Sequence, residues 1–181
     1  MTSLFEHAAD MPLAPLFAAA GLAAQLVSPL FRKREAMLSV QLGASCCYAA
    51  TYALLAQQTA TAICLTGAIQ TSVALLAGDR PWLRKMGYVF LPAVLAIGAL
   101  TYAGLPTILA VTACCLTMIG RLQSETLAMR RVQLGATPFN ATHDILIGAW
   151  PCVAGALVTF GIAVSALHRE QRDVRAGAKA P

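Results

Sequence analysis

The sequence predicts an all-α integral membrane protein: seven transmembrane helices arranged as two parallel three-helix bundles joined by a linker helix (3+1+3). Three observations predict it. The 181 residues are 58% hydrophobic and only 12% charged, with mean hydropathy +0.67, so there is too little charge to cover an aqueous globule. The apolar runs are long enough to cross a hydrocarbon layer about 30 Å thick, which takes roughly 17 to 25 residues per helix. No alternating strand pattern is present, and helices alone then satisfy the backbone inside lipid.

The runs between charges place the spans near 11–31, 37–56, 60–78, 87–103, 105–120, 132–149 and 151–168. The first contains "LFAAAGLAA", which has the small-residue look of a signal-peptide cleavage region but lacks a basic segment before it, so it reads as a retained helix. The fourth and fifth form one apolar block from Gly87 to Gly120, which as a single helix would be about 51 Å long, too long for one crossing. "AGLPT" interrupts it, and Gly104 with Pro106 marks a tight turn. The domains are thus a membrane domain 1–168 and a cytoplasmic tail 169–181, mobile from about Glu170. The membrane domain divides into a first three-helix repeat 1–78, the linker helix 87–103 and a second repeat 105–168.

The basic residues test the span count, because Lys and Arg of short loops favour the cytoplasmic side. With seven spans, all 13 fall on one side. Arg32, Lys33 and Arg34 follow the first span, Arg80, Arg84 and Lys85 the third, and Arg121, Arg130 and Arg131 the fifth; Arg169, Arg172, Arg175 and Lys179 follow the seventh. The N-terminus, with Glu6 and Asp10, is then outside and the C-terminus cytoplasmic. Topology accounts for the net charge of +5 without a nucleic-acid partner.

"VQLGA" occurs twice, at Val40–Ala44 and Val132–Ala136, each shortly after a basic cluster and each opening a span. The offset is 132 − 40 = 92 residues. In this register Leu54 meets Leu146, Leu65 meets Leu157, and Ala74-Leu75 meets Ala166-Leu167. One helix between two three-helix blocks gives both blocks the same orientation, which is a parallel repeat.

The segments "YALLAQQTATAICLTGAIQ" and "RRVQLGATPFNATHDILIGAWP", in this order of basic loops and apolar pairs, resemble the bacterial inner-membrane YgjV family from the first span to Arg169. The resemblance implies the inner membrane as location and a layout similar to SWEET and PQ-loop proteins. It does not imply a sugar. The SWEET carriers are known for paired Trp and Asn in the pocket and prolines in helices 1, 2, 5 and 6; here Pro29, Pro106 and Pro138 lie in or at the ends of the first, fifth and sixth spans, and none in the second. Trp82 and Trp150 lie in loops or at the interface, where they anchor the helices.

Candidate site residues come from depth. In "FNATHDILIG", Asn140 lies nine residues from Arg131 and ten from Trp150, near the bilayer middle. Asp144 is about 9 Å from Trp150 by helical rise and is the one carboxylate inside a predicted span. A charge there faces a cavity or a partner. Asn140 and Asp144 share a helix face, flanked by His143, and their register mates are Tyr48 and Tyr52. These five, with Gln70 and Gln25, are the candidate substrate-binding groups, bonding between helices being the structural alternative for the polar ones. The reading finds no Arg or Lys inside the membrane to hold an anion.

Other signals are bland. "NAT" at 140–142 matches a glycosylation sequon but lies inside a span. The six cysteines, Cys46, Cys47, Cys64, Cys114, Cys115 and Cys152, lack metal-site spacing and read as packing residues. No cofactor, metal or catalytic motif is legible, and an enzyme is not expected. Two functions remain: a carrier or facilitator for a small solute or proton, and a non-transporting membrane binding or assembly protein. The expected partner is the lipid bilayer, and a homo-oligomer is compatible with the sequence.

Overall fold

The computed structural model describes residues 13–56, 58–78, 80–146, 148 and 150–177. Every described element is helical. Helix α1 is Leu13–Val27, and Pro29 turns its end into the 3-10 segment Ser28–Leu30. Helices α2 (Arg34–Leu54) and α3 (Gln58–Ala77) follow, then the short α4 (Pro81–Met86), a 3-10 turn and α5 (Phe90–Leu100). The chain continues as α6 (Leu105–Arg121), α7 (Thr126–Leu146) and α8 (Trp150–Gly177).

Each of the seven apolar runs holds a helix. Leu13–Leu30, Ala60–Ala77 and Pro81–Leu100 are long and apolar enough to cross a membrane, and Leu105–Arg121 is a shorter apolar helix. The outer surface agrees: Leu100, Leu76 and Leu157 are 87%, 75% and 63% exposed, a pattern suited to lipid rather than water.

The break after α5 falls where the glycine and proline put it. Gly104 takes φ +92, a left-handed conformation that L side chains disfavour, and Pro106 occupies the first turn of α6, where its missing N–H costs nothing. Toward the other end of the chain, α8 continues through Gly177, so residues 171–177 are helical where the sequence suggests a mobile extension.

Packing is heaviest between α1 and α2, α2 and α3, α6 and α7, and α7 and α8. Contacts of α1 with α8 and of α3 with α6 join the two groups, and α5 packs against α3 and α6. Met37 and Leu38 of α2, Ala74 of α3, Leu122 at the end of α6 and Met129 of α7 form the buried core. Gly87 lets the linker close over it: a Cβ there would lie 2.3 Å from a Leu122 methyl.

Two arginines tie this end together. Arg34, opening α2, donates to the carbonyls of Gln123 at 2.7 Å, Arg121 at 2.9 Å and Ala74 at 3.2 Å. Arg130, near the start of α7, donates to Pro29 O at 2.6 Å and to Phe31 O. In both cases a guanidinium meets carbonyls at or just past a helix C-terminus, where the helix dipole favours a cation.

Candidate functional site

Helices α2 and α7 each contain 21 residues, with a glutamine in the eighth position of both, Gln41 and Gln133. The two glutamines pair reciprocally: Gln41 Nε2 donates to Gln133 Oε1 at 3.1 Å, and Gln133 Nε2 donates to Gln41 Oε1 at 3.2 Å. Both belong to the "VQLGA" segments, 92 residues apart. A doubled amide bond satisfies four polar sites at once, the cheapest way to bury two such side chains between helices.

Beside this pair lies a cavity of about 220 Å³, walled by α1, α2, α6, α7 and α8. Its lining falls into residues 92 apart, the separation of the glutamine pair: Gln25 with Thr117, Ser45 with Thr137, and Tyr48 with Asn140. The lining residues that remain exposed, Gln25 and Asn140, stand at its mouth. The Tyr48 hydroxyl donates to Gln25 Oε1 at 3.2 Å, and Gly21 gives the tyrosine ring room, since a Cβ there would lie 3.2 Å from it.

The cavity is basic. Arg121 and Arg130 both line it, two cations that the candidate residues drawn from the sequence did not include. The reason is reach. Each sits within a turn or so of a helix end, and its long side chain reaches a neighbouring element, Arg121 to Gln41 and Gly67 and Arg130 to the connection between α1 and α2. Arg121 Nε donates to Gln41 Oε1 at 3.2 Å, and its Nη1 to Gly67 O at 3.3 Å. Its acceptors are neutral, and among the described residues no carboxylate pairs with it. Arg130 has Glu170 at 2.8 Å, a Coulombic contact not aligned as a hydrogen bond.

α7 is the less regular wall. Pro138 lies inside it and removes one rung of its hydrogen-bond ladder, between cavity residues Leu134, Thr137 and Asn140.

The candidate residues divide. The structure brings Asn140, Tyr48 and Gln25 together around the cavity. Asp144 and His143 lie farther along α7, outside the lining, with His143 Nδ1 at 3.1 Å from Asp144 Oδ1. Tyr52 is half-buried one turn beyond Tyr48 and also outside the lining. Gln70 is fully buried and donates to Met118 O at 3.0 Å, which joins α3 to α6, while its Oε1 has no hydrogen-bond partner among the described residues. The residues that sequence reading missed are Gln41, Gln133 and Arg121. "VQLGA" itself was the available signal, because both glutamines sit in it.

Apolar outer helices around a cavity with a polar, basic lining fit an all-helical integral membrane protein. The chain belongs to the Imp-YgjV family of bacterial inner membrane proteins, whose family model matches residues 13–173. Neither a curated protein nor a solved structure matches it.

Proposed function

We propose that this protein is a carrier or facilitator for a small solute, of SWEET-like architecture, with the substrate held in the cavity beside the Gln41–Gln133 pair. In this reading seven spans cross the membrane with the N-terminus outside and the C-terminus in the cytoplasm. Two three-helix repeats, α1–α3 and α6–α8, rock against one another around the site.

The observation that carries it is the wall of the cavity, which draws paired positions from both groups of helices around two register-mate glutamines. The arginine ties support the same register. Arg34 reaches the carbonyls of residues 121 and 123, Arg130 those of 29 and 31, and the two carbonyl pairs are separated by the 92 residues that separate the glutamines. Each group of helices thus caps the other at the basic end. Opening toward that end would require these bonds to break together, and Pro138 gives α7 a place to bend.

A second reading, a non-transporting binding or assembly protein, is favoured by the same ties, because they hold the groups together. Uptake and efflux of labelled small solutes by vesicles reconstituted with purified protein separates the two. A carrier gives saturable flux above protein-free vesicles that falls about tenfold or more when Gln41 and Gln133 are both changed to leucine, a loss of about 1.4 kcal/mol of site interaction. Flux equal to that of empty vesicles across charged and neutral solutes would leave the second reading.

A further inference from the structure

Arg121 is half-buried on the cavity wall, with only neutral acceptors around it among the described residues. It donates to one amide oxygen and one backbone carbonyl, which leaves its Nη2 without an acceptor among the described residues. Holding a cation partly out of water with so few acceptors is unfavourable, and an anion within hydrogen-bond reach offsets that cost. Arg130 on the same wall already has Glu170 and two carbonyls, so the cavity holds one unanswered positive charge.

We propose that the cavity binds a small organic monoanion, a short-chain carboxylate whose head group is held by Arg121. This deepens the carrier reading by naming its substrate class, and rests on that reading only for the claim that the ligand crosses. One uncompensated charge matches a monoanion. A planar guanidinium matches a planar carboxylate better than a spherical ion. The volume of about 220 Å³ admits a few carbon atoms with their head group. Met37, Leu134 and Ala163 on the wall offer a carbon chain apolar contact that an inorganic ion could not use. Thr137 and Asn140 stand on the opposite helix as further donors.

Equilibrium binding to the purified full-length protein in detergent, at fixed low ionic strength, tests this apart from transport. The probes are butyrate, its neutral isostere butyramide, succinate, chloride and phosphate. Saturable butyrate binding is expected, with butyramide at least about tenfold weaker, the size of one lost charge-assisted hydrogen bond. Arg121→Gln should weaken butyrate by roughly 10- to 100-fold and level it with butyramide. Because Arg121 also bridges α2 and α3, Asn140→Leu serves as a second variant; it narrows the mouth without touching the guanidinium and should also reduce butyrate binding. Butyramide binding as tightly as butyrate, chloride or phosphate outcompeting every carboxylate, or no butyrate binding at all to folded protein would each overturn the proposal. Butyrate binding without vesicle uptake would uphold the site and remove the carrier reading.

Discussion

Arg130 and Arg121 line the same cavity but are treated differently by their surroundings. Arg130 has two backbone carbonyls and a carboxylate, and it closes the end of α1. Arg121 has an amide oxygen and one carbonyl, and no acid. The contrast separates two uses of a buried cation. A guanidinium that meets carbonyls and a carboxylate is neutralised where it stands; on the proposed reading, one with neutral acceptors alone keeps capacity for an anion. Arg34 belongs with Arg130, since it gathers three carbonyls from the ends of α3 and α6.

The largest effect expected of this contrast is at Arg34. Arg34→Ala leaves three helix-end carbonyls without their donor and should cost about 3–5 kcal/mol, read as a steep fall in the thermal midpoint of the detergent-solubilised protein. A drop no larger than that of Lys33→Ala, on the adjacent exposed residue, would show that the ties carry little.

Glu170→Gln should come next. It leaves the Arg130 carbonyl bonds in place and removes only the counter-charge, and Glu170 is partly exposed, so the loss should be about 1 kcal/mol after solvent screening. A change as large as that of Arg34→Ala would mean that Arg130 depends on its carboxylate and resembles Arg121 more than Arg34.

A smaller effect is expected at the centre. In a double-mutant cycle of Gln41→Leu and Gln133→Leu, the coupling energy should be about 0.6 to 1 kcal/mol, the usual size for polar pairs between membrane helices. Strict additivity would mean that the reciprocal pair does not form in the membrane.

The smallest change is expected at Asp144. Its contact is with the adjacent His143 on the same helix, so Asp144→Asn should alter stability by less than about 0.5 kcal/mol. A loss above 2 kcal/mol would indicate a partner on another helix.

The fold was largely legible, because helix existence in an apolar chain follows from run length and from breakers such as Gly104 and Pro106. The length of α8 was not, since its last turns are polar and their helicity draws on packing, such as the Glu170 contact with Arg130, that composition cannot report. Of the site, depth counting located Asn140, and the repeat register then gave Tyr48. Asp144 stands outside the cavity lining, with its carboxylate 3.1 Å from the ring of the adjacent His143. Depth counting undervalued the arginines for a geometric reason: charge counting assigns a residue to a loop by its position in the chain, whereas a guanidinium on a long stem can stand several ångströms from its own backbone, inside the neighbouring bundle.

The most direct test of two parallel groups meeting at the glutamines is intramolecular cross-linking in native membranes. With the six native cysteines replaced, cysteines would be placed at positions 41 and 133, or at 41 and 146 as the control, and treated with a short bifunctional thiol reagent. Position 146 lies about 20 Å along α7 from position 133 by helical rise. Parallel α2 and α7 in the 92-residue register give an efficient 41–133 link and none at 41–146. A link at 41–146 without one at 41–133 would contradict the shared cavity and the functional proposal built on it.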